Sequence, residues 1–151
     1  MSEHHASVAW KRTSSDFTYE SYNRAFDTRF KDGAVVLASS SAPEFRGDAD
    51  RVDPEEAFVA SLSSCHMLSF LAICARKRLT VDAYEDDAVG HLEKREDGKL
   101  WISRVILHPR VRFGAETPVD SAALDAIHHQ SHRECFIANS VKTEVSVARE
   151  A

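Results

Sequence analysis

Residues 53–78 constrain this chain more than any other stretch. They open Asp53-Pro54-Glu55-Glu56 and run on through Cys65 and Cys74 to Arg76-Lys77-Arg78. Asp53 suits a helix N-cap and Pro54 the first helical position. Glu56, three residues after Asp53, can close a capping box. Phe58, Leu62, Cys65, Met67, Leu68, Leu71, Ile73 and Ala75 spread apolar side chains over most of the circumference. That pattern predicts a buried central helix rather than one laid on a surface. The three basic residues place its end near Arg78, where positive charge complements the helix dipole.

The flanking sequence reads mainly as strand. Residues 6–12 and 23–30 are extended in character, and Asp32-Gly33 marks a tight hairpin into a strand over 34–38. Residues 39–52, rich in Ser, Asp, Pro and Gly, predict a loop. Residues 81–93 and 100–113 read as two long strands joined by a turn at 95–99. Pro118 predicts the start of a second helix, with Ala122, Ala123, Leu124, Ile127 and His128 facing inward. Alternation over 141–147 predicts a closing strand. The expected class is α+β, helices against antiparallel sheet, in one domain over 1–151.

Charge and composition exclude some functions. The net charge is -5 and no basic patch suited to nucleic acid is present. The longest apolar stretch, around 67–75, is interrupted by Ser69 and is too short to span a membrane. The N-terminus lacks a basic segment followed by an apolar run, so no signal peptide is expected. Three cysteines cannot all pair within one chain. These features together predict a reducing cytoplasm.

The cysteines are the candidate chemistry. Cys65 and Cys74 are nine residues apart on the predicted helix, on opposite faces and roughly 13 Å apart along the axis. They cannot bridge, because a disulfide needs Cα atoms within about 7 Å. Cys74 reads as a core residue. Cys65 and Cys135 are either inert core thiols or a reactive pair brought together by the fold. A reactive thiol needs a nearby positive charge, and Arg24, Arg46 and Arg51 all precede the helix. Glu55 could hold such a guanidinium in a fixed fork, or could simply favour the helix N-terminus.

The segment from Asp53 to Cys65 resembles the Asn-Pro-Glu-Glu/Gln-Leu-(x7)-Cys motif of the OsmC/Ohr family, osmotically inducible and organic hydroperoxide resistance proteins. Pro54, Glu55 and Cys65 match at the family's spacing, and Cys135 falls where the family carries its second cysteine. The resemblance implies an OsmC-like fold, antiparallel sheets around a long central helix, in an intertwined homodimer with active sites at the subunit interface. It implies a thiol-dependent peroxidase without metal, haem or flavin, with an organic hydroperoxide or hydrogen peroxide as substrate and an external dithiol as reductant. Cys65 would attack the peroxide, and its sulfenic acid would condense with Cys135. The activating arginine would be Arg24 by the Ohr pattern, nine residues before Gly33. By the OsmC pattern it would be Arg46, nine before Glu55, which the surrounding loop favours slightly. Glu55 and Cys65 lie about 15 Å apart on a straight helix, so a Glu55–arginine pair would more easily serve a thiol of the other subunit. Phe58, Leu62 and Met67 are expected to wall an apolar pocket.

Two departures stand out: Phe136 where the family commonly has proline, and His66 where it commonly has an aromatic residue. His66 could tune Cys65, but adjacent helical residues point about 100° apart. His128 and His132 have a spacing that can bind zinc, yet no further ligand is marked out. Contacts of these histidines with the helix's last carbonyls or with a dimer partner are the simpler expectation. The same fold could also serve a non-catalytic protein that binds a small hydrophobic ligand or senses oxidants.

Overall fold

The computed structural model describes residues 1–148. The last three residues of the expected 1–151 domain therefore lie outside the description. The chain forms two compact units, Met1–Ala57 and Phe58–Ala151.

The first unit is an antiparallel sheet of β1 (Ser7–Ala9), β2 (Phe26–Phe30) and β3 (Val35–Ser39), in that order. The hairpin between β2 and β3 falls at Lys31–Gly33. There Lys31 and Asp32 adopt φ of 52° and 53° and Gly33 89°, the left-handed geometry that made Asp-Gly a turn signal. After β3 the chain loops through a short 3-10 turn, Pro43–Phe45. Helix α1 (Pro54–Arg76) then starts as its capping signals require. The Glu56 N–H donates to Asp53 Oδ1 at 2.8 Å, and the Asp53 N–H donates to Glu56 Oε2 at 3.0 Å.

In the second unit the two long predicted strands are each divided. Residues 81–93 become β4 (Val81–Asp86) and β5 (Val89–Lys94). Residues 100–113 become β6 (Leu100–Leu107) and β7 (Pro109–Phe113). β4 pairs with β7 in one sheet, while β5, β6 and β8 (Glu144–Val147) form another. The hairpin thus changes sheets on both arms at the same level. Asp86 holds this corner: its Oδ1 accepts the His108 N–H at 2.6 Å and its Oδ2 accepts the Ser63 hydroxyl of α1. The closing strand departs from the expected antiparallel sheet, because β8 runs parallel to β6. The second helix, α2 (Ser121–Glu134), starts at an Asp120 N-cap rather than at Pro118. Ile127, His128 and Ser131 are its buried residues, while Ala122 and Ala123 face solvent.

Two apolar clusters divide α1 between them. Leu62 packs with Val105 and Leu107, supported by Phe58, Val59, Ile102, Val145 and Val147. A Cβ at Gly90 would come within 2.5 Å of Val59 Cγ2, so glycine there lets α1 lie close on β5. Farther along, Phe70, Ile73 and Cys74 pack with Ile127, Tyr84, Val111 and Phe113. The helix is not buried all round: Leu68 is 63% exposed in the single chain. By length and composition α1 is long and apolar enough to cross a bilayer, unlike the shorter 67–75 run, but core helices of water-soluble proteins pass the same test.

Candidate active site

The interval of α1 between the two clusters carries Cys65 and His66. Cys65 is half-buried and its thiol is free, as are those of Cys74 and Cys135. Cys135 follows the last turn of α2, with its φ/ψ of -70° and 112° ending the helix. It is 1% exposed. The fold sets the Cys65 and Cys135 thiols near enough to act on each other electrostatically. Burial pushes the Cys135 thiol up. An Ala138 N–H donated to its sulfur at 3.4 Å opposes that rise, and the neighbouring Cys65 sulfur adds to it. Cys74 lies in the apolar cluster as expected, its thiol raised by burial and only partly offset by Lys77.

His66 is directed away from the sulfur, toward α2. It is 1% exposed. Its Nε2 lies 3.0 Å from His128 Nδ1, one nitrogen donating and the other accepting. The ring centres are 5.3 Å apart with planes inclined by 12°, so the imidazoles meet through their nitrogen edges. Phe70 covers His128 at 4.6 Å between ring centres. Burial, with the positive charges that His128 and His132 would carry, lowers His66 to about 4. Burial also lowers His128, against the carboxylates of Asp125 and Asp86. His128 is therefore an inward-facing residue tied to α1, not a helix-end histidine bonded to the final carbonyls. Sequence spacing could not find this pair, because its members are 62 residues apart.

The other expected site residues lie in the first unit. Arg24 is buried, and its guanidinium stacks over Tyr22 at 3.7 Å and Tyr19 at 5.0 Å. Its Nη1 donates to the Tyr22 carbonyl at 2.6 Å and its Nη2 to that of Tyr19, whereas its Nε has no hydrogen-bond partner among the described residues. Arg46, at φ 64°, caps the 3-10 turn and lies 5.8 Å from the Tyr19 ring. Tyr19 thus has both candidate arginines at its ring. Glu55 is raised by burial first, then by the Asp53 and Glu44 charges. Among the described residues it forms no ion pair.

Of the expected pocket walls, Leu62 is fully buried, Phe58 packs against its cluster, and Phe58 and Met67 are half-buried. A cavity of about 650 Å³ forms elsewhere, between Pro109, Val111, Leu124, Val145 and the face of α2 carrying His128 and His132. Among the described residues no three of His, Cys, Asp and Glu are placed to share a metal ion.

Comparison with known proteins places this geometry. Residues 47–150 match the model of the OsmC-like protein family. No curated protein matches the chain. A solved OsmC-like protein of unknown function from Vibrio cholerae is 45% identical. It aligns 98% of this chain with 99% of its own at a TM-score of 0.90. An organic hydroperoxide resistance protein from Elizabethkingia anophelis is 14% identical over 99% of this chain and 98% of its own, with a TM-score of 0.74. One from Bacillus subtilis is 16% identical over 97% and 98%, with a TM-score of 0.69. The last two share the fold alone. The motif at Pro54, Glu55 and Cys65, the family match and the shared fold agree: the chain belongs to the OsmC/Ohr family of OsmC-like proteins.

Proposed function

We propose that this protein is a thiol-dependent peroxidase that reduces organic hydroperoxides through a Cys65–Cys135 cycle. The observation that carries the reading is the closeness of a half-buried Cys65 to a buried Cys135. Cys65 as thiolate attacks the outer peroxide oxygen. The O–O bond breaks, the alkoxide leaves and takes a proton to become the alcohol, and Cys65 becomes a sulfenic acid. Cys135 then attacks the Cys65 sulfur, the disulfide forms and water leaves. An external dithiol reduces that disulfide and is itself oxidised, so one hydroperoxide and one dithiol give alcohol, water and a new disulfide. Cys135 suits the second step: buried and held protonated, it is a poor first nucleophile but is in place when the sulfenic acid appears.

OsmC/Ohr family members are dimers, and an intertwined homodimer is part of this reading. The exposed Leu68 on α1 and the partly buried Glu55, which has no ion pair among the described residues, both support a second copy. That copy would set Arg24 or Arg46 near the thiol of its neighbour. A reducing cytoplasm suits three free thiols.

The test mixes reduced protein with cumene hydroperoxide and dithiothreitol and follows peroxide loss. Rapid turnover in the wild type and a loss of roughly a thousandfold in Cys65→Ser is the expected result. Mass spectrometry after one equivalent of peroxide should find the Cys65–Cys135 bond. Equally slow consumption by both proteins would leave the reading without support and favour a ligand-binding or oxidant-sensing protein on the same fold.

A further inference from the structure

We propose that His66 and His128 are a positioning pair, whose imidazole–imidazole hydrogen bond fixes α2 against α1 where Cys135 can close on Cys65. The two contacts are neighbours in the fold. On α1, His66 directly follows Cys65; on α2, His128 precedes Cys135 by seven residues. Seven residues are about two turns, so Cys135, at the C-cap that follows α2, returns to the side of the helix that carries His128. Adjacent positions of one helix therefore reach one side of the other, through neighbouring thiols and a 3.0 Å nitrogen contact.

The physical argument is directional. Farther along α1 the helices meet through Phe70, Ile73, Cys74 and Ile127, an apolar contact without a directional bond. A buried hydrogen bond resists a slide, because a shift leaves two polar nitrogens unpaired. Setting the register between helices is the best-attested use of a buried polar group. The side chains around the pair complete the argument. Phe70 shields it, and His132, Asp125 and Asp86 bear on it electrostatically. Ser131, on the same helix, is occupied by its own backbone, donating to the Ile127 carbonyl at 2.7 Å.

The catalytic consequence rests on the peroxidase reading; the positioning of the sulfurs does not, and it can be measured without peroxide. Full-length protein is equilibrated with reduced and oxidised glutathione, and the Cys65–Cys135 disulfide is quantified after acid quench and alkylation. His66→Phe and His128→Phe keep a ring in each place without the bond. Each should lower the equilibrium constant for the disulfide about tenfold, moving its potential about 30 mV less negative. The double variant should lose no more than either single one, and His66→Gln, which can still bond His128, should remain within twofold of wild type. Urea unfolding of the reduced proteins separates the alternatives. Lower midpoints with unchanged potentials would mean that the pair merely stabilises the fold and would overturn the proposal. So would additive losses, or a His66→Gln variant as defective as His66→Phe. A wild type that forms this disulfide but consumes no hydroperoxide would remove the peroxidase reading and leave the positioning role to be decided by the potentials.

Discussion

The two stretches of α1 that face α2 are buried by different means. Around Phe70, Ile73 and Cys74 the contact is apolar, with Ile127, Tyr84 and Phe113 as partners. One to two turns earlier, Cys65 and His66 meet Cys135 and His128 through polar atoms. Cys74 and Cys135 are both 1% exposed, and burial raises both thiols. Only Cys135 has another sulfur beside it. Burial therefore does not distinguish these two thiols in this protein; the identity of the neighbour does.

Four measurements would break or sharpen that contrast. The largest effect belongs to Phe70→Ala, which should lower stability by about 3–5 kcal/mol in urea unfolding. Its ring supports Tyr84 and Phe113 on one side and His128 on the other, so both stretches should loosen together. An equal loss in a protein already lacking the His66 ring would show them to be energetically separate.

Acid comes next. His66 is held at about 4 against an ordinary 6.5. Between those values the unfolded chain binds a proton that the native chain refuses. Stability should therefore fall as pH drops from 6.5 toward 4 and level off below, by up to about 3 kcal/mol from this group. His66→Phe should flatten that interval, and an unchanged slope would place its source elsewhere.

Cys74→Ser should cost about 1–3 kcal/mol, because it buries a hydroxyl in an apolar cluster, while leaving peroxide turnover unchanged. A fall in turnover comparable to that of Cys65→Ser would erase the distinction between the two cysteines. The smallest effect is expected at the start of the helix. Asp53→Ala removes the N-cap and should cost about 1 kcal/mol, and it calibrates how far a general loss of helix stability reaches the thiols.

Much of this was legible in the chain itself. The Asp53–Glu56 capping box and the Asp32-Gly33 turn are local devices, and both formed where the residues place them. Cys74 could be assigned to the core from helix geometry alone. The closeness of Cys65 to Cys135 was readable only through the family motif, because 70 residues of chain separate the two. The division of the long strands was hidden for a different reason. The acids Glu85-Asp86-Asp87 and the His108-Pro109 step interrupt both runs locally, but the bend itself depends on a carboxylate accepting from a distant backbone N–H. The parallel placement of β8 is equally non-local. His66 diverges from Cys65 as adjacent helical residues do; what faces it is His128 of a second helix, which the first one cannot announce.

Asp86 carries a consequence of its own. One carboxylate receives the Ser63 hydroxyl, two residues before Cys65, and the backbone of His108, where β6 gives way to β7. It works as a rivet through three layers of chain, and both of its lone-pair faces are in use. An aliphatic residue of similar size would leave the His108 N–H and the Ser63 hydroxyl without that acceptor. A residue with no part in any redox step can thus shift the sulfur-bearing turn, and the tolerance of that turn to mutation is set in part from the strands beneath it.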